Sequence, residues 1–348
     1  LSYHPFFIKL FHWEYWSFNT VYAPVYIYFI WLGVKARSFF FFNAANPTIS
    51  SGGFLMESKK EIYHLIPKQY YPVTVFLPLN VSLAEALQHK QAAGLQFPLI
   101  AKPDVGGRGR MVSKIYNEQE LQEYISACKE DFMLQEFADV KNEVGIFYYR
   151  YPDETNGVIS GIVEKEFLKV VGDGNSSMLE LLQQKKRFIL QLPALKKKYG
   201  DALNEILPAG EEKILVPFGN HARGSKFLDS SYKVDAALTQ TIDAVCKQVP
   251  GFYYGRLDIK FSSWEELKQG KNFYIIELNG SGSEPTHIYD PKHSIFFAWK
   301  EIIRHWKILY RISVINHKKN KVPYMTVKEG FKMFRDNNAH LKKVMEDE

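Results

Sequence analysis

The stretch Tyr254–Glu284 reads YGRLDIKF, then a polar insert SSWEELKQGKN, then FYIIELNGSGSE, and its pattern decides how the chain is built. In the first run Leu257, Ile259 and Phe261 alternate with Arg256, Asp258 and Lys260, the period-two signature of a half-buried strand that points Asp258 out of the core. Phe273–Leu278 is a second β-rich run, and the insert holds turn residues enough to make the two runs an antiparallel pair. Glu277 and Asn279 then share a face. With the strands paired, Asp258, Glu277 and Asn279 converge as three oxygen donors, the hard ligand set that Mg²⁺ prefers. A solvated strand face is the ordinary alternative for either carboxylate alone. Carboxylates on neighbouring strands, however, repel each other unless a cation lies between them. The strand runs on into Gly280, Ser281, Gly282 and Ser283, small residues whose backbone N–H groups can approach an anion.

The 348 residues can bury one large core or two domains with a cleft between them. With 24% charged and 46% hydrophobic residues the chain folds rather than staying disordered. A net charge of +6 favours anionic partners but lacks the dense basic stripe of a nucleic-acid-binding protein, so no nucleic acid is expected. Cys128 and Cys246 show neither metal-type spacing nor a disulfide framework, which points to a reducing compartment.

Much of the aromatic excess lies in the first 45 residues. Val21–Val34 carries no charge, yet its fourteen residues fall short of the roughly 20 that span a bilayer as a helix. No basic start and small-residue cleavage site mark a signal peptide. The segment has two uses: packing in a core, or lying against lipid with Trp13, Trp16 and Trp31 at headgroup depth. Asn46–Gly53 is a turn-rich boundary, after which a helix (ESKKEIYHLIP), a strand (YYPVTVFL) and a helix capped by Ser82 and Glu85 and closed by Gly94 follow.

FPLIAKP is a buried strand ending near Lys102, followed by the glycine-rich DVGGRGRMV and a strand over Met111–Ile115. A lysine at a strand end beside Gly106, Gly107 and Gly109 suits phosphate, because glycines let backbone cover the oxygens and the ammonium adds a point charge. No GK[ST] and no helix follow, so this is not a Walker loop, and an ordinary turn is the commoner source of such a hairpin. Next come a helix over Asn117–Cys128, two strands through DFMLQEFADVKNEVGIFYYRYP, a turn at Gly172–Gly174, and a helix capped by Ser177 and Glu180. GNHARGSKFLD reads as a loop carrying His221, Arg223 and Lys226, and Tyr232–Val249 as a helix. From Ser294 onward Trp299, Ile302, Ile303, Trp306, Leu309 and Tyr310 fall near one helical face, with Lys300, Arg304, Lys307 and Arg311 largely on the other. This basic amphipathic helix either packs on the domain or meets an anionic membrane.

Taken in order, the lysine-ended strand, glycine-rich hairpin, LQEF segment and paired D…ExN strands resemble the ATP-grasp superfamily over roughly residues 55 to 290. GDGNSSMLELLQQKKR is similar to the GDG-x-x-T-x-x-E-L pattern of cyanophycin synthetases and glutathione-forming ligases, and D-alanine:D-alanine ligase is the other relative in style. The resemblance implies an α/β (α+β) fold with two α+β subdomains clasping ATP. Residues 51–290 would form the grasp (51–95 lead-in, 96–140 small nucleotide-clasping subdomain, 141–290 large metal-binding subdomain). An aromatic-rich segment, 1–50, and C-terminal helices, 291–348, would flank it.

It further implies that Lys102 contacts the α/β-phosphates, that Lys59 or Lys60 is the other nucleotide lysine, and that Gly106, Gly107 and Gly109 form a flap. Gln135, Glu136, Phe137 and Ala138 would be the hinge beside adenine, Gln135 standing where many members have Glu, and Glu143 would accept the ribose hydroxyls. Asp258, Glu277 and Asn279 would hold two Mg²⁺ ions, or Mn²⁺, with Glu277 bridging. Arg256 and Arg223 would face the transferred phosphoryl group. The implied reaction joins a small-molecule carboxylate to an amine or thiol through an acyl phosphate, releasing ADP and phosphate. Kinase-like transfer and a non-catalytic scaffold at a membrane are the alternatives. Residues 1–50 are too short and too aromatic for the Rossmann-like domain that usually precedes the grasp, which leaves the substrates open. The expected place is the cytoplasm, with contact to the inner face of a membrane through residues 11–42 and the helix after Ser294. The rival expectation is that these two segments pack on each other.

Overall fold

The computed structural model describes residues 3–107, 109–140, 142–216, 219, 221 and 224–345. Its strands are β1 (Thr74–Leu77), β2 (Leu99–Pro103), β3 (Ser113–Ile115), β4 (Phe132–Glu136), β5 (Asn142–Tyr149), β6 (Val158–Glu166), β7 (Leu168–Val171), β8 (Glu212–Val216), β9 (Lys226–Asp229), β10 (Tyr254–Phe261) and β11 (Phe273–Asn279). Helices intervene throughout, giving the expected α+β class. The chain divides into two compact units, one comprising Leu1–Tyr26, Val163–Ser230 and Thr286–Glu301, the other Ile27–Ile162, Ser231–Pro285 and Ile302–Glu348.

The second, larger unit holds two sheets. One has the order β1-β4-β2-β3, antiparallel at each pairing. Its core of Leu77, Leu99, Ala101, Phe132 and Leu134 is closed by Ala86 of helix Leu83–Ala92 and by Leu121 and Tyr124 of helix Glu118–Ala127. Both helices begin at side-chain caps, Ser82 with its reciprocal Glu85 and Asn117 accepting from Glu120 N–H, so the sequence itself fixes where they start. The other sheet places β10 between β11 and β5. Leu257, Ile259, Phe261, Phe273, Ile275 and Leu278 bury its inner face against helix Ala236–Lys247 and Ile62 and Tyr63 of helix Lys59–Leu65.

A third core in this unit answers the question of the aromatic segment. Leu32, Phe40, Phe41, Phe42 and Ala45 pack with Phe147, Tyr254, Ile308, Leu309 and Ile312. Phe29 lies 5.0 Å from Trp306 and Phe41 lies 5.7 Å from Tyr310, ring centre to ring centre. Asn316 Nδ2 donates to Ala44 O at 2.8 Å. The aromatic stretch and the basic helix thus do pack on each other. Among the described residues no helix is long and apolar enough to cross a membrane.

In the first unit the end of β6 pairs with β9, and β7 with β8, over a core of Leu168, Val170, Met178, Leu182, Leu195 and Leu215. Two indoles tie down the N-terminal residues: Trp13 Nε1 donates to His293 O and Trp299 Nε1 to Val21 O, each at 2.8 Å. A half-buried indole gains from such a partner, and the bond ties Trp13 to this unit. Lys226–Asp229 forms β9 where a loop was expected, because four residues carry too short a pattern to show without their β6 partner. The helix expected over Tyr232–Val249 spans only Ala236–Lys247, starting where Asp235 accepts Leu238 N–H at 2.8 Å. Among the expected C-terminal helices, the second spans Val327–Met345 and is preceded by Thr326, whose side chain and backbone N–H both donate to Glu329.

Candidate functional site

In the larger unit a small, partly open cleft is lined by Glu57, Lys59, Ile62, Tyr63, Gly106, Ile276, Glu277, Leu278 and Asn279. Its floor is made by an irregularity in β11. Asp258 pairs with Glu277, but the next residue, Ile259, pairs with Ile275, so Ile276 is an extra residue in the ladder. A bulge of this kind flips the facing of everything beyond it. Phe273 and Ile275 point into the core before it and Leu278 after it. Strict alternation would have driven Glu277 and Asn279 into that same core; the bulge turns them to the cleft.

The bulge also frees a carbonyl. Ile276 O accepts from Tyr63 OH at 2.6 Å and from Lys102 Nζ at 3.1 Å. Lys102 Nζ donates as well to Tyr63 OH and to Gln135 Oε1, each at 3.0 Å, and Gln135 Nε2 donates to Thr74 Oγ1 at 2.7 Å. The lysine is therefore buried at the meeting of β2, β4, β11 and helix Lys59–Leu65. Burial pushes its pKa down from 10.5 to about 8, with Glu277 opposing the fall. Gln135, expected to border adenine through its backbone, turns its side chain into this network.

Lys59 opens its helix next to the loop that leaves β2. Asp104 braces the junction: it accepts Lys59 N–H on its backbone O at 3.0 Å, Ser58 Oγ at 2.7 Å and Lys60 N–H at 2.7 Å. Lys59 Nζ reaches Gly106 O at 2.8 Å and lines the cleft, while Lys60 is exposed. Burial lowers the pKa of Lys59 and Glu277 opposes this. Gly106 and Gly109 have positive φ (142° and 68°), and side chains built on Gly106 and Gly107 would meet open space or only Pro103, so backbone angle rather than crowding favours glycine at 106 and 109.

On the metal-type face Asp258 and Glu277 stand directly opposite each other. Asp258 is 4% exposed, so it is far from a solvated face, and it is held by Arg256 through Nε–Oδ1 at 2.8 Å and NH2–Oδ2 at 3.4 Å. Arg256 also donates to Glu284 O at 3.4 Å. Asn279 Nδ2 is buried without a hydrogen-bond partner. The N–H groups of the loop after it were expected to face an anion. They do not: Gly280 N–H goes to Glu57 Oε1 at 2.7 Å, Ser281 N–H to Gly52 O at 2.9 Å, Gly282 N–H to Gly53 O at 2.8 Å and Ser283 N–H to Gly280 O at 3.0 Å. The small residues there let two backbone loops touch, and Asn46 clamps the contact by donating to Gly52 O and Tyr254 O and accepting from Tyr253 and Tyr254 N–H.

Glu57 was missed by the sequence reading. Desolvation raises its pKa to about 8, the Gly280 N–H lowers it, and Glu277 raises it further. Its signal was faint: a carboxylate just before the Ser58 cap, with Lys59 and Tyr63 one helical turn apart on the same side. Of the other residues, Glu136 N–H pairs with Val73 O at 2.8 Å at the end of β4, and Ala138 is buried. Phe137 has Lys114 Nζ 3.5 Å and Lys260 Nζ 5.5 Å from its ring centre, and Glu143 pairs with Lys260 across β5 and β10. Arg223 lies outside the described residues.

No family model matches this chain, and no curated protein matches it in sequence. Among solved structures it is similar to a D-Ala:D-Ser ligase from Enterococcus faecalis (17% identity, TM-score 0.43, covering 76% of this chain and 63% of that one). It is likewise similar to the D-alanine–D-alanine ligase of Bacillus anthracis (14%, 0.43, 78% and 71%). A third likeness is to a bifunctional glutathione synthetase from Pasteurella multocida (16%, 0.39, 71% of this chain), of whose length the chain spans 36%. At these scores the likeness says nothing of chemistry, which rests on the residues themselves.

Proposed function

We propose that the cleft binds Mg-ATP and that the chain is an ATP-grasp ligase, in which a substrate carboxylate oxygen attacks the γ-phosphorus, ADP departs, and an amine or thiol then displaces phosphate from the acyl phosphate. One observation carries this reading: the bulge at Ile276 puts Glu277 and Asn279 beside Lys59, next to the buried Lys102. Two ammonium groups held at depressed pKa beside an oxygen-rich donor set are costly for stability alone and suited to a polyphosphate with its counter-ions.

The residues fit the ions. All donors from Asp258, Glu277 and Asn279 to a cation would be oxygens, two of the three are carboxylates facing each other, and the Asn279 amide lacks an internal partner on its nitrogen. Divalent ions there would neutralise charge developing on the phosphates. Lys59 and Lys102 would hold phosphate oxygens, and the glycine-rich loop with Gly106, Gly107 and Gly109 would cover them. Arg256, fixed by Asp258 and the Glu284 carbonyl, would face the phosphoryl group or the acyl oxygen, a task for which its forked donors are suited. Glu136, Phe137, Ala138 and Glu143 would border the nucleoside, with Lys114 and Lys260 flanking the Phe137 ring.

Incubating the protein with Mg-ATP, hydroxylamine and a panel of carboxylic acids tests the reaction class. A hydroxamate formed together with ADP supports the acyl phosphate. ADP with a stable phosphorylated product and no hydroxamate would reassign the site to kinase-like transfer.

A further inference from the structure

Helix Tyr26–Ala36 is buried on one side only. Leu32 and Gly33 face inward, whereas Ile27, Ile30, Trp31 and Val34 are 75%, 53%, 50% and 61% exposed. Their spacing of three, four and seven residues makes one outward stripe. A helix of a water-soluble surface shows polar residues there, so this stripe is an anomaly that packing in the core does not explain. Phe39, just beyond the helix, is likewise 54% exposed.

The charge around the stripe is one-sided. No Asp or Glu occurs between Glu14 and Glu57, while Lys35 and Arg37 stand exposed at the helix end, Lys35 Nζ being 5.0 Å from the Trp31 ring centre. We propose that this outward stripe docks on the surface of an anionic lipid bilayer, with Lys35 and Arg37 at the headgroups and Ile27, Ile30, Trp31 and Val34 in the acyl boundary. Apolar side chains with an indole beside cations, on a helix that itself carries no carboxylate, are the composition of an interfacial helix. At eleven residues the helix is about 16 Å long, enough to lie on a bilayer and too short to cross it. Of the two segments expected to meet a membrane, residues 11–42 and the helix after Ser294, the first would do so through the outer face of helix Tyr26–Ala36, whereas the second has its apolar face largely buried. The inference does not depend on the ligase reading.

The test uses the full chain with vesicles of phosphatidylcholine alone and of phosphatidylcholine mixed with phosphatidylglycerol. Wild type should sediment with the anionic vesicles and its tryptophan emission should shift to the blue. The triple variant Ile27→Ser, Ile30→Ser, Trp31→Ser should lower the bound fraction at least about tenfold. The variant Lys35→Glu, Arg37→Glu, which leaves the apolar stripe intact, should lose the preference for anionic vesicles and decides the matter if the triple variant fails to fold. Absence of sedimentation with either vesicle, or sedimentation unchanged by both variants, would overturn the proposal. So would a wild-type dimer that stays in the supernatant and is dispersed by the triple variant, which would assign the face to a second copy of the chain.

Discussion

Replacing Lys102 by Met should separate stability from function. In the wild type the ammonium is buried with its pKa lowered from 10.5 to about 8, so keeping it charged at neutral pH costs about 3 kcal/mol at about 1.4 kcal/mol per tenfold change. Methionine removes that cost and roughly keeps the volume. It leaves Gln135 Oε1 without its donor, a loss of about 1–3 kcal/mol, whereas Ile276 O keeps the Tyr63 hydroxyl at 2.6 Å. The two effects nearly offset, so urea unfolding should place the variant within about 1 kcal/mol of wild type. Binding of Mg-ATP, followed by titration calorimetry, should weaken by about 100-fold, because a charge-assisted contact to phosphate is lost in a desolvated place. A variant destabilised by more than about 3 kcal/mol that binds nucleotide normally would mean the lysine is structural, and would refute the reasoning.

Three further outcomes follow from the same geometry. Phosphate favours protonated Lys102, which the free protein loses above about 8, so Mg-ATP affinity should fall as pH rises from 8 to 10, by up to about tenfold per pH unit, and Lys102→Met should flatten the profile. Glu57 has a carboxyl pKa raised from 4.5 to about 8, so its contribution is present below 4.5 and is lost as pH rises toward 8. Glu57→Gln should therefore gain stability on wild type across that window in metal-free buffer, read from thermal melts at several pH values; parallel curves would count against a raised pKa. Gly280→Ala would bring a Cβ within 2.6 Å of Gly52 O and 2.7 Å of Gly53 Cα, so the two loops must part. A stability loss of about 1–3 kcal/mol and a higher Mg²⁺ requirement are expected, and an unaffected variant would show that the loop contact does not position Asn279.

The pairing of β10 with β11 was legible because Leu257, Ile259 and Phe261 alternate cleanly and the insert between the strands is rich in turn residues. The caps at Ser82 and Ser177 were legible for a similar local reason, since each needs only a residue three positions on. The facing of Glu277 and Asn279 was read correctly, yet its cause was not visible: FYIIELN holds no sign that Ile276 is skipped, and the skip is imposed by the partner strand. Asp258 turned out to be buried against Arg256, because a salt bridge two residues apart on one strand looks like plain alternation in sequence. The loop after Asn279 was misread for a long-range reason, its N–H groups being taken by Gly52, Gly53 and Glu57 more than 200 residues earlier. β9 shows the same limit in a different form, being too short for a pattern.

The most direct test of the central claim is a crystal structure of the protein with Mg²⁺ and a non-hydrolysable ATP analogue. The account predicts triphosphate oxygens in contact with Lys59 and Lys102 under the Gly106–Gly109 loop, and Mg²⁺ ligated by Glu277 and Asn279 with Asp258 beside them. Nucleotide bound away from this cleft, or ions that leave Glu277 and Asn279 untouched, would contradict it.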